Sequence, residues 1–149
     1  MKEHRTSNIE HRTSNAAQRV FDLEERLLEF ASVIIDISEK LPNTRSGNHV
    51  AGQLLRSGTS PYSNHGEAES AESSDDFVHK LKVCLKELRE TLRWLRLIHR
   101  KIWLGEDPQL KWGLIECDEL IRIFVASIRT AKQNQLRVKP GAANQKTAG

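Results

Sequence analysis

Apolar residues recur three and four apart along four stretches of this chain, the spacing of amphipathic helices. The first stretch runs from about Ala16 to Leu41, with Val20, Leu23, Leu27, Phe30, Ile34, Ile37 and Leu41 as its seam, and Pro42-Asn43 stops it. The second spans about Ser46 to Ala71. Val50, Leu54 and Leu55 begin its apolar face, but Ser57, Gly58, Thr59, Ser60, Ser63, Asn64 and Gly66 continue it. Small residues there let a neighbouring helix approach closely, while Pro61 removes a backbone donor and predicts a kink or break. The third begins at a Ser73 or Ser74 cap, with Asp75 and Asp76 suited to its first turn, and extends to about Leu104. Gly105 and Pro108 make the next turn, and the fourth runs from about Gln109 to Lys132 on a seam of Leu114, Cys117, Ile121, Phe124 and Ile128. Short connections between such helices predict an all-α, antiparallel up-down-up-down four-helix bundle.

The bundle is expected over 17–133. Residues 1–16 hold a polar tandem repeat, Glu3 to Asn8 and Glu10 to Asn15, and read as a flexible extension. Residues 134–149, rich in Gln, Asn, Lys, Gly and Ala, read as a disordered tail. The 149 residues suffice for one domain with a core of its own. No apolar run approaches the roughly 20 residues of a membrane span, and MKEHRTSN lacks the apolar region of a signal peptide. Cys84 and Cys117 fall on apolar seams, which favours free buried thiols over a disulfide and a reducing cytoplasm as the compartment.

Charge changes the picture on the third helix. Lys82, Lys86, Arg89, Arg93, Arg96 and Arg100 each follow a position of the apolar seam Leu81, Leu85, Leu88, Leu92 and Leu95 or its extension by one residue. On a helix that offset is about 100°, so a basic ridge lies beside the seam. The net charge is only +3, so segregation matters more than total: Glu67, Glu69, Glu72, Asp75 and Asp76 cluster just before the ridge, and Glu87 and Glu90 alone dilute it. A charged stripe is often a solvated face, but like charges in line repel one another unless an anion answers them. The stripe is almost without Asn, Gln or aromatic residues, so it suits phosphates better than base edges.

Catalytic and metal chemistry finds little support. A di-iron bundle needs Glu-x-x-His on two helices, and the nearest match, Asp76-x-x-His79, occurs once. The cysteines lie on separate helices without paired ligands, and Arg56-Ser57-Gly58-Thr59-Ser60 is no phosphate loop. No cofactor, metal or catalytic residue is expected, and the protein reads as a non-enzyme. Arg56, Asn64 and Glu67 on the second helix, with Lys80, Glu87 and Glu90 on the third, read as a structural polar network that sets packing register. Trp94 and Ile98 sit on a second apolar flank of the third helix. Apolar surface beyond the needs of one bundle suggests an oligomer interface there, and base stacking by the tryptophan is the alternative.

The stretch Gln53-Leu54-Leu55-Arg56-Ser57-Gly58-Thr59-Ser60-Pro61, with Asn64 and Glu67-Ala68, resembles a signature of a bacterial four-helix-bundle family encoded in intervening sequences of 23S ribosomal RNA genes. Phe77-Val78-His79-Lys80-Leu81-Lys82, Leu85-Lys86-Glu87-Leu88-Arg89-Glu90-Thr91 and Trp94-Leu95 are similar to its third helix. Glu116 to Leu120 and Ile128 to Lys132 are similar to its last. The resemblance covers roughly Phe21 to Lys132. It implies a left-handed bundle assembled into a ring-like homopentamer. It also implies kinship with the accessory protein of diversity-generating retroelements, a basic pentameric bundle that works with a reverse transcriptase and nucleic acid.

The expectation is therefore a non-enzymatic homo-oligomer that binds RNA, RNA/DNA or an RNA–protein complex through the basic ridge. The alternative is a protein-interaction scaffold whose ridge meets an acidic protein, or the acidic stretch Glu67 to Asp76 of a neighbouring copy.

Overall fold

The computed structural model describes residues 23–138, so the tandem repeat and the chain end from 139 onward lie outside the described residues. Four helices fill this span: α1 over 23–39, α2 over Arg45–Glu69, α3 over Ser74–Lys101 and α4 over Pro108–Val138. No helix among the described residues is long and apolar enough to cross a membrane.

Local chemistry sets the ends. Thr44 caps α2 by accepting from the Gly47 amide, and Ser73 caps α3 by accepting from the Asp76 amide. A side chain on Gly47 would meet the Pro42 carbonyl oxygen at 2.0 Å, so the tight α1–α2 corner needs glycine there. Helix α3 stops at Lys101, earlier than its apolar pattern suggested, because Ile102 adopts a left-handed conformation with φ 57°. Helix α4 runs past Lys132 to Val138. Its extra turn is tied down by Gln135, whose Nε2 lies 3.3 Å from Ser74 Oγ and 2.8 Å from Asp75 Oδ1. Residues 134–138 are thus helical, which corrects the disordered tail expected to begin at 134.

The break expected at Pro61 is also absent; α2 passes through it with the ring buried. Packing holds the flanking turns. A Cβ on Gly58 would lie 2.6 Å from Ile34 Cγ2, so α1 rests almost on the α2 backbone. From the other side the Cys84 thiol donates to the Pro61 carbonyl at 3.6 Å, and the buried Thr91 and Ser57 hydroxyls meet at 2.9 Å.

Cross-helix bonds give the arrangement. Arg56 reaches Glu87 and Glu90 while Glu67, further along α2, reaches Lys80, so α2 and α3 run in opposite directions. Arg26 bonds Glu116 and Glu119 while Lys40 bonds Asp107, which gives α1 and α4 the same relation. Each helix therefore has two neighbours around a shared core of Leu27, Phe30, Ile34, Ile37, Leu54, Leu88, Leu95, Ile98, Leu120 and Phe124. Cys84 and Cys117 are free and buried in it.

The α3 seam is rotated from its expected position. Leu85 and Leu92 are only partly buried, whereas Cys84, Thr91 and Ile98 are fully covered. The helix turns toward α2, whose small Ser57–Pro61 stretch leaves room for it. The same rotation corrects one assignment: Ile98 belongs to the chain's own core and has no surface to offer an oligomer interface.

Candidate nucleic-acid interface

The α3 helix separates its charges by flank. Glu87 and Glu90 face α2. There Arg56 Nη1 lies 3.2 Å from Glu87 Oε2, and Nη2 lies 2.7 Å from both oxygens of Glu90. Arg56 holds the Glu90 carboxyl below the ordinary range, and Glu90 in turn raises the guanidinium. Lys80 closes a second link at 2.7 Å from Glu67 Oε2, which raises the ammonium. Asn64 stays within its own helix, bonded to the Ser60 carbonyl and hydroxyl. The six polar residues thus form two separate α2–α3 clasps and one local bond, and their partly exposed positions make each clasp a modest contributor to stability.

Lys82, Lys86, Arg89, Arg93, Arg96 and Arg100 occupy the opposite flank, toward α4, and all six are exposed. None of them has an ion-pair partner among the described residues, although Arg26, Lys40, Arg56, Lys80, Lys111 and Arg122 all do. Sequence spacing put Glu90 within reach of Lys86 and Arg93. The structure spends both oxygens of that carboxylate on Arg56 instead, so the ridge is less compensated than the sequence suggests. From Lys82 to Arg100 it extends about 27 Å along the helix.

Helix α4 carries two further cations near its C-terminal end. Cys117 Sγ donates to the Leu88 carbonyl at 3.2 Å, which together with the Gln135 bonds sets Arg129 and Lys132 level with the first two turns of α3, ahead of Lys82. Arg129 and Lys132 are exposed and unpaired among the described residues.

Trp94 lies on the other side of α3, half-buried, with its ring edge-on to His49 at a centroid distance of 6.1 Å. Its indole N–H is buried next to the Glu90 carboxylate, which it helps hold below the ordinary range, without a well-formed hydrogen bond among the described residues. Between Trp94 and the arginines a hollow is lined, among the described residues, by Glu90, Arg93, Trp94, Arg96, Leu97 and Arg100. The buried thiols offer no reactive site beside it: burial pushes both Cys84 and Cys117 up to about 12. Among the described residues no cluster of His, Cys, Asp or Glu is disposed to hold a metal ion.

No curated protein matches the chain. A solved structure of a protein of unknown function from the S23 ribosomal protein family of Bacteroides thetaiotaomicron is 34% identical to it, with a TM-score of 0.65. That similarity covers 71% of this chain and 97% of the other. Residues 21–126, which carry the small-residue α2, the ridge and most of α4, match the family described as 23S rRNA-intervening sequence protein. The chain belongs to the 23S rRNA-intervening sequence protein family.

Proposed function

We propose that the protein is a non-enzymatic, homo-oligomeric bundle that binds nucleic acid, RNA in particular, along the α3 ridge. One observation carries the reading: six exposed cations in line without an ion-pair partner among the described residues, their nearest acids engaged elsewhere. Such a line attracts a polyanion whose charges are regularly spaced, and its affinity comes from released counterions rather than base contacts.

Self-association is supported by a different surface from the one the sequence pointed to. With Gly58 against Ile34, Leu28 lies about level with Tyr62, and Ile35 with Leu55, across the outer face of α1 and α2. All four are exposed large apolar residues. A pentameric ring and a reverse transcriptase companion are expectations that rest on the family resemblance.

Replacing Arg89, Arg93 and Arg96 together by Glu is expected to abolish RNA binding in a gel-shift titration while leaving the helical circular dichroism intact. Unchanged binding would refute the reading. A second reading, in which the ridge meets an acidic surface of another copy, is favoured by the exposed Glu24, Glu25, Glu29, Asp36 and Glu39 on α1. The same triple variant would then dissociate the oligomer in light scattering.

A further inference from the structure

The ridge is not uniformly polar. In its second half Leu97 stands in the midst of Arg93, Arg96 and Arg100 and is 40% exposed. Helical spacing puts Trp94 one turn before it and Arg100 one turn after, so apolar surface and guanidinium groups share one hollow. Trp94 lines one side of that hollow, its indole N–H turned to the neighbouring Glu90 carboxylate, which it helps hold below the ordinary range. Nothing about phosphate binding calls for these features. An arginine or lysine in place of Leu97 would serve a phosphate better.

A double helix presents sugar and phosphate to a convex helical ridge and keeps its bases inside, so it would gain nothing from Leu97 or Trp94. An unpaired nucleotide can lay its base on the apolar strip while its flanking phosphates meet the arginines on either side. We infer that the Trp94–Leu97 hollow takes an unpaired nucleobase, so that the ridge prefers single-stranded RNA over duplex RNA. This rests on the ridge being a nucleic-acid interface, and names the class of strand that fits it.

The test compares a fluorescent 12-nucleotide oligouridine with a 12-base-pair RNA duplex by anisotropy, using the full chain. The wild type is expected to bind the single strand more tightly. Leu97→Gln keeps a good helix former at an exposed position, and is expected to weaken single-strand binding about tenfold while leaving duplex binding unchanged. Lys82→Ala, at the far end of the ridge, is expected to weaken both ligands alike. With bromouridine in the oligomer, ultraviolet crosslinks are expected on the peptide that contains Trp94. Equal affinity for the two ligands, an equal effect of Leu97→Gln on both, or crosslinks confined to other peptides would overturn the base-binding inference while the ridge reading stands. Binding of neither ligand would overturn the ridge reading itself.

Discussion

A methyl group on Gly58 would sit 2.6 Å from Ile34 Cγ2 and 2.8 Å from Cγ1, while one on Gly52, six residues earlier in α2, would touch nothing within 4 Å. The two glycines should therefore respond oppositely to the same change. Gly58→Ala is expected to destabilise the protein by about 1–3 kcal/mol through overpacking. Gly52→Ala should stabilise it by up to about 1 kcal/mol through helix propensity. Urea midpoints of the two variants check this. The thiols make a second prediction at this scale. Burial first, then neighbouring acids, raises Cys84 and Cys117 to about 12, against roughly 8.5 in an unfolded chain. Above that lower value the unfolded state releases protons that the native state keeps, so stability should be fully present below about pH 8.5 and fall as pH rises toward 12. Urea midpoints at pH 7.5 and 10.5, repeated with both cysteines replaced by Ala, separate this contribution from lysine titration. The burial of Cys117 was legible in the sequence, since it falls on the α4 seam; that each thiol donates to a carbonyl of a neighbouring helix was not.

At the scale of elements, α3 joins two jobs by facing two neighbours. Its α2 flank carries Glu87 and Glu90 and is clasped by Arg56; its α4 flank carries the ridge. Arg56 therefore keeps the ridge cationic without touching it. Arg56→Ala is expected to cost less than about 1 kcal/mol of stability, as exposed ion pairs do. The freed Glu90 can then turn to Lys86 or Arg93, and RNA affinity should drop about twofold. Unaltered affinity in an anisotropy titration would show that Glu90 does not reach the ridge. Helix existence and order, and a serine cap at the start of α3, were readable from periodicity and from Ser and Pro positions, whereas the Thr44 cap of α2 was not. The rotation of α3 was not, because Leu85 and Cys84 are equally apolar in sequence. Which one is buried depends on how close α2 can come.

For the whole molecule, charge is arranged rather than merely present. Exposed acids crowd α1, and cations without an ion-pair partner among the described residues run along α3, although the net charge is only +3. Single-strand binding through six phosphate contacts should give a log–log salt slope of about −4. A slope near zero would point to contacts other than phosphate. Light scattering after size exclusion, with Leu28→Glu and Tyr62→Glu compared with the wild type, tests the α1–α2 face as an assembly surface. Both substitutions are expected to lower the mass.

The order of polar and apolar residues alone determined four helices, their described ends to within about three residues except at the end of α4, and a row of basic positions on α3, because helical periodicity is a local property of the backbone. Tertiary structure decided which members of each apolar stripe are buried, that α2 survives Pro61, and that Ile98 belongs to the core. It also decided that Glu90 answers Arg56 rather than the ridge. These outcomes depend on the distance and register between helices, and those follow from which small side chains meet across the bundle.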